Sequence, residues 1–360
     1  MERSRYPISQ PDFAVKYYSQ RATDGGLIIA EATNISPYGR GYLGAPGIFN
    51  QAQIDAWKPI TEAVHAKGGV IFLQLWHTGR ISHPQLQPNG ELPVSSSTNM
   101  LLDDKRTVPT LQGKLPMVTP RALEVEEIAK TCEDYRIATE NALAAGFDGV
   151  EVHSANGYLL EQFLQDGINE RTDQYGGPVE NRARFLFEVL DAILKTTPSS
   201  KVGIRLSPFS KSFEQRDSDP LATYGYVFDK LSAYDLAYTH VVEPRGFHYE
   251  SELCPAEGAT SYFRKIYKGV FMTSSGFERD SSIETVEKGD ADISGNADIV
   301  AIGRYFISNP DLVKRFELNA KLTPYDRTSF YLPGEKGYTD YPTLEEEEAA
   351  EAEADKNAAQ

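Results

Sequence analysis

A parallel α/β barrel is expected from three features of this chain. Short β-branched runs alternate with helix-length amphipathic stretches along nearly all of it, the rhythm of repeated βα units. The C-terminal end of almost every such run carries a polar or small residue, as in barrels that keep their chemistry at one mouth. A length of 360 residues, 40% hydrophobic and 24% charged, also suits one domain of this kind.

A helix over Pro11–Arg21 comes first. Strands are expected at Leu27–Ala32, Val70–Leu75, Gly149–His153, Val202–Leu206, Thr239–Val242, Val270–Thr273 and Asp298–Ile302, each a short apolar, β-branched run. Helices follow them at Gln51–Lys67, Leu123–Ala145, Val179–Lys195, Leu221–Leu231, Gly258–Tyr267, Ser281–Lys288 and Asn309–Leu318. Sheets of this type close at eight strands, so either one stave is absent or one escapes the pattern. The segment Pro84–Pro116 is polar, Pro-containing and too long for a routine βα loop, and is expected to cap the mouth. Residues 1–343 are therefore one domain, and the acidic 344–360 segment is expected to be a disordered tail, with a frayed helix as the alternative.

The net charge is -16, and seven acids against one lysine lie between Glu345 and Lys356. Nucleic acid and anionic membrane surfaces are poor partners for such a chain. No window nears 18 uninterrupted apolar residues, the N-terminus is not a secretory signal, and Ala358-Ala359-Gln360 matches no organelle address. Cys132 and Cys254 are too isolated for a disulfide framework or a metal set, which points to a reducing, cytoplasmic setting and to no metal.

The strand ends carry the candidate chemistry. His153-x-x-Asn156-x-Tyr158 offers two N–H donors that can converge on one oxygen and polarise a carbonyl, with a phenol placed to deliver a proton nearby. The same residues also suit a His and an Asn that merely cap the next turn. Ser275-Gly276 and Gly303-Arg304 close the last two strands, where barrels build phosphate sites from backbone amides and an Arg; two ordinary glycine turns are the alternative. No G-x-G-x-x-G, Walker or G-x-S-x-G motif is present. Gln74 and Arg205 near their strand ends could pair with the anionic pyrimidine edge of a reduced flavin, and Arg205 could instead serve a core ion pair. Trp76 either walls a pocket or fills the barrel, and His77 and His83 suit capping roles better than metal ligation.

The run Asn169-Glu170-Arg171-Thr172-Asp173-Gln174-Tyr175-Gly176-Gly177, continuing to Phe185, is the most specific stretch. With Gln74-Leu75-Trp76-His77, His153 to Tyr158, Ala297 to Arg304 and Gly337 to Pro342, it resembles the old yellow enzyme family of FMN-dependent ene-reductases, and most of all its 12-oxophytodienoate reductase branch. The resemblance spans roughly Arg3 to Pro342 and implies a (β/α)₈ TIM barrel with FMN at its mouth, reduced by NADPH, which leaves before a small-molecule enone binds. It implies that Ala32, Gln74 and Arg205 bind the isoalloxazine and Ser275, Gly276, Gly303 and Arg304 the phosphate end. It further implies that His153 and Asn156 hold the enone carbonyl, that Tyr158 protonates the α-carbon, and that Trp76, Arg245 and Tyr331 line the substrate side of a monomer or homodimer. The departure is at the front: Met1 to Arg5 enters just after the family's first strand, with Glu2 where relatives carry a flavin-contacting Thr. The strands at Leu27 and Asp298 are thus expected to have unpaired edges. A non-catalytic, weakly flavinated remnant of the same family is the alternative, and an unrelated barrel lyase or aldolase with a phosphate site is a third.

Overall fold

A computed structural model describes residues 11–101, 106–214, 216–245, 251–287 and 296–358. The readings made on Met1 to Arg5, on 102–105 of the insertion, on Lys288 and on Ala359 and Gln360 lie outside them.

The core is one parallel sheet. Its strands are β1 (Leu27–Ile29), β2 (Thr33–Asn34), β3 (Val70–Trp76), β4 (Gly149–Ser154), β5 (Val202–Leu206), β6 (Tyr238–Val242), β7 (Phe271–Ser274) and β8 (Ile299–Ala301). They lie in the order β1–β3–β4–β5–β6–β7–β8, and β2 continues the β1 edge alongside β3. The expected strand at Leu27–Ala32 runs only to Ile29, with β2 beginning just beyond Ala32, and the other six fall within two residues of their expected bounds. Within β3, Ile71, Leu73 and Leu75 pack on the helices, while Phe72 joins Tyr238 and Met272 in a separate inner cluster. Ile29 of β1 and Ile299 and Ala301 of β8 pack on that inner cluster. The sheet thus curls until its first and last strands share one interior, as a barrel sheet does. Among the described residues no strand pairs with the outer edges of β1 and β8.

Helix α1 (Pro11–Arg21) and the segment after β8 come together on that open side. Arg21, 2% exposed, donates to the carbonyls of Phe306, Ile307 and Tyr338, and the Tyr17 ring stacks on Tyr338 at 4.0 Å. The outer layer is built from α2 (Gln51–His65), α3 (Val125–Ala144), α4 (Leu159–Leu164), α5 (Val179–Arg182), α6 (Arg184–Ile193), α7 (Pro220–Leu231), α8 (Gly258–Arg264), α9 (Arg279–Glu287), α10 (Arg304–Ser308), α11 (Leu312–Leu318) and α12 (Leu344–Ala358). Side-chain caps set several starts: Asn50 accepts from the Gln53 amide, Asp219 from the Ala222 amide, and Glu124 and Glu127 form a capping box. The expected helix at Val179–Lys195 is interrupted at Ala183.

The insertion after β3 holds two short 3₁₀ turns, the pairing of Val94–Ser95 with Arg121–Ala122, and a hairpin of Thr107–Thr110 with Gly113–Pro116. Its own small core is Ile81, Leu86, Leu101, Val108 and Met117, and Tyr42, Tyr158 and Phe213 pack against it. The insertion therefore covers the strand-end side of the sheet.

The acidic tail differs from the disordered segment expected of it. It forms α12, and its first turn is anchored: Glu347 accepts from Arg315 at 3.0 Å and from Thr323 at 2.6 Å, and the Leu344 amide donates to Asp311. Arg315 is wholly buried, so its charge needs carboxylates, and the tail supplies one of them. An Ala- and Glu-rich sequence has high helix propensity, and one anchored turn lets the rest propagate. No helix among the described residues is long and apolar enough to cross a membrane.

Candidate active site

The inward positions of the sheet form layers. Above the apolar cluster of Phe72, Tyr238 and Met272 lies a buried polar layer. Gln74 and Glu151 are register partners, and the Gln74 amide donates to the Glu151 carboxylate at 2.6 Å. The other carboxylate oxygen meets His240 Nδ1 at 2.9 Å, and His240 Nε2 lies 2.8 Å from Ser274 Oγ. Glu151 is wholly buried. Burial works to raise its pKa, but the His240 contact, the Arg205 charge and the Gln74 hydrogen bond outweigh it and hold the carboxyl down to about 2. With Glu151 ionised, His240 donates from Nδ1 and accepts the Ser274 hydroxyl proton at Nε2.

The next layer is the mouth. His153 and Arg205 are register partners on adjacent strands, and Trp76 is inward on β3. The Trp76 ring stands 6.2 Å from His153 and 4.9 Å edge-on from Tyr158, which itself lies 5.1 Å edge-on from His153. Tyr42 stacks on Trp76 at 5.5 Å and its hydroxyl is 3.3 Å from that of Tyr158, while Phe213 closes the other side of Tyr158 at 5.6 Å. His153 Nδ1 accepts the Ala155 amide at 3.3 Å. Burial, then Arg205, depresses the pKa of His153 well below the usual imidazole range, so the ring is neutral and its proton sits on Nε2.

Asn156 adopts a left-handed conformation, φ 56°, and Gly157 follows it at φ 80°. A Cβ on Gly157 would come within 2.8 Å of the Ser212 carbonyl, so only glycine fits. This double turn lifts Tyr158 back over the mouth. Arg205 Nε, Trp76 Nε1 and Asn156 Oδ1 are buried with no hydrogen-bond partner in the protein. Buried polar atoms left in this state at one mouth mark a place built for a polar guest.

Around the rim, Ser275 (φ 86°) and Gly276 (φ 72°) end β7, and a Cβ on Gly303 would meet nothing within 4 Å. Arg304 donates to the Tyr325 hydroxyl at 3.1 Å. Arg245 lies beside this group: its Nε donates to the Ser275 carbonyl at 3.0 Å and its guanidinium covers Phe277 at 3.9 Å. Tyr331 is 58% exposed beside Phe330, whose other neighbour is Tyr325. The structure thus joins Trp76, His153, Tyr158 and Arg205 around the mouth and places Arg245 with Ser275 and Gly276. Ala32 is buried immediately before β2.

His77 and His83 each accept a backbone amide two residues on, from Gly79 and Gln85. Among the described residues no group of three or more His, Cys, Asp or Glu is arranged to hold a metal ion. Burial drives the His77 pKa down to about 3. His153 and His240 are depressed in the same direction. In each case the unfolded chain binds a proton that the native state refuses, so the stability these groups contribute is present above about pH 6.5 and is lost as the pH falls toward the folded values. Urea denaturation at pH 7 and pH 5.5 is expected to show a smaller loss for His77→Gln than for the parent chain, by about 1 kcal/mol. An equal loss would contradict this.

Sequence reasoning missed Glu151, His240, Tyr42, Phe213, Ser207 and Glu161. One of these had a signal: Glu151 sits between Val150 and Val152 in an apolar strand, with the same parity as His153.

The fold and mouth define a flavin-type barrel: neutral donors, aromatic rings and Arg205 over a buried Gln–carboxylate–His layer, with open glycine backbone at Gly303 after the last strand. The chain belongs to the NADH:flavin oxidoreductase / NADH oxidase family, whose model matches residues 1–322. It is 49% identical to 12-oxophytodienoate reductase 1 of Oryza sativa subsp. japonica over 346 residues, 96% of this chain and 87% of that protein. It is 43% identical to 12-oxophytodienoate reductase 2 of Arabidopsis thaliana, over 96% of this chain and 90% of that one. Among solved structures, morphinone reductase superposes with a TM-score of 0.89 at 46% identity, covering 96% of this chain and 91% of that one. An old yellow enzyme homologue from Zymomonas mobilis gives 0.88 at 37% identity, covering 96% and 94%. The barrel is thus of the old yellow enzyme type, and the protein is an FMN-dependent oxidoreductase.

Proposed function

We propose that this protein reduces the C=C bond of α,β-unsaturated carbonyl compounds at the expense of NADPH. Ala32, Gln74 and Arg205 would hold the isoalloxazine, and Ser275, Gly276, Gly303 and Arg304 the phosphate end. The buried, unpartnered Arg205 Nε and the open backbone at Gly303 fit such a guest. The chemistry supplied by FMN when bound is hydride transfer, taken from NADPH and given from N5 to the β-carbon of the enone.

The chain's own residues do the remainder. His153, neutral and with Nδ1 occupied by the Ala155 amide, donates from Nε2 to the enone oxygen. Asn156 joins it on the same oxygen, and the two draw off the charge that builds there as the β-carbon accepts hydride. Tyr158 delivers its phenolic proton to the α-carbon, which completes a two-electron, two-hydrogen reduction. Trp76 walls the pocket, with Tyr42 and Phe213 excluding water, and Arg245 and Tyr331 meet substrate groups at the rim. The convergence of His153, Tyr158 and Trp76 beside Arg205, above the Gln74–Glu151–His240 layer, carries this reading.

Anaerobic titration of the purified protein tests it. The protein is expected to be yellow, with stoichiometric FMN, and to bleach faster with NADPH than with NADH. Flavin-free protein, or flavin that neither nucleotide reduces, would contradict it.

A further inference from the structure

We propose that Glu161 is a positioning residue for enone reduction, holding the Asn156–Gly157 backbone so that Asn156 and Tyr158 keep one register at the mouth. The inference rests on the proposed enone reduction.

Glu161 is wholly buried, one turn after Tyr158 on α4. Its Oε2 accepts the Gly157 amide at 2.5 Å. Its Oε1 accepts the Ser207 hydroxyl at 2.7 Å and the Tyr224 hydroxyl at 2.6 Å. Ser207 Oγ in turn accepts the Asn156 amide at 2.7 Å. One carboxylate therefore fixes both left-handed residues of the turn, Gly157 directly and Asn156 through Ser207. The opposite face of the turn is held by Gln162, whose amide donates to the Gly157 carbonyl at 2.7 Å and to the Thr78 carbonyl. A non-glycine residue in a left-handed conformation persists only where its surroundings hold it there. Here they do so with a buried carboxylate three residues from the phenol it orients, and three donors to one carboxylate suit its ionised form. Glu161 itself takes no part in the mouth contacts described for Trp76, His153 and Tyr158. Its effect on the reaction is geometric.

The test uses holoenzyme reduced with dithionite, so that nucleotide binding is bypassed, and mixed anaerobically with 2-cyclohexen-1-one. Glu161→Ala is expected to slow flavin reoxidation by roughly 10- to 100-fold, the scale of a misplaced catalytic group, with FMN content and visible spectrum unchanged. Glu161→Gln is expected to recover most of the rate, because its oxygen can still accept the Gly157 amide. In a Tyr158→Phe background, Glu161→Ala is expected to cost clearly less than it does in the parent, since the phenol is gone and only the Asn156 contribution remains. A Glu161→Ala rate close to the parent's, or losses that multiply in the double variant, would overturn the proposal. Ser207→Ala, which removes the bridge from Asn156 to Glu161 and leaves the carboxylate on the Gly157 amide, keeps the test available where Glu161→Ala does not fold. It is expected to slow reoxidation by about threefold or more, and an unchanged rate would count against the proposal. If Tyr158→Phe itself leaves reoxidation untouched, the reading of the site fails, and this inference with it. If Tyr158→Phe slows it and neither Glu161 nor Ser207 matters, this inference alone fails.

Discussion

Replacing Tyr158 by Phe is expected to slow enone-driven reoxidation of the reduced flavin by about 10²–10⁴-fold, the usual contribution of a positioned proton donor. Reduction of the flavin by NADPH should stay nearly unchanged, because that half-reaction moves a hydride and requires no proton at the α-carbon. The substitution is mild for the fold. The ring keeps its edge-on contacts with Trp76 at 4.9 Å and His153 at 5.1 Å, and only the hydroxyl facing Tyr42 is lost. Stopped-flow absorbance separates the two half-reactions. If both fall equally, Tyr158 is not the proton donor and acts on the site as a whole.

Glu151→Leu is expected to have the largest effect on stability, a loss of about 3–5 kcal/mol, since it removes one partner of a buried charged network and leaves the other uncompensated. The Gln74 amide and His240 Nδ1 lose their acceptor, and Arg205 loses the carboxylate that offsets its burial. The expected measure is the urea midpoint at constant m-value. Glu151→Gln keeps the shape and removes the charge, and should fall between. The acid limb gives an independent check. The folded pKa of Glu151, about 2, lies below its ordinary value of 4.5, so its contribution is present above that ordinary value and is lost as the pH falls through about 2. The Glu151→Gln chain should lack that part of the acid loss. A variant as stable as the parent, with the same acid limb, would show the buried layer to be energetically idle.

The strands were legible because a parallel strand covered on both faces reads as a continuous apolar run, as Val70 to Leu73 does, and because its end must meet solvent or ligand. His153, Gln74 and Arg205 could be named on that logic alone. Glu161 was not, because α4 is six residues long and buried all round, so it has no amphipathic period to betray a helix. Tyr42 and Phe213 lie in irregular segments, where only the folded insertion brings them to Tyr158. The tail was misread for a related reason. Its charge favours disorder locally, and the Arg315 contact that anchors Glu347 comes from 32 residues away.

Placing Arg245 beside Ser275 also had no local signal. Strand order decides which ends become neighbours, and β6 lies against β7. The long match from Asn169 to Phe185 belongs to architecture as much as to chemistry. Asn169 holds the Phe163 and Tyr175 carbonyls, Arg171 pairs with Asp173 at 2.6 Å, and Arg182 caps the Leu164 carbonyl, which closes the loop that follows α4. Such a segment keeps Glu161 and the turn it holds against the barrel, and it contributes none of the mouth residues.

The most direct measurement is a single-turnover one. Holoenzyme is reduced anaerobically, without nucleotide, and mixed with one equivalent of 2-cyclohexen-1-one while visible absorbance and product are followed together. The oxidised flavin spectrum is expected to return in step with one equivalent of cyclohexanone. Flavin that stays reduced, or that reoxidises without saturated ketone, would contradict the assignment of this mouth to enone reduction.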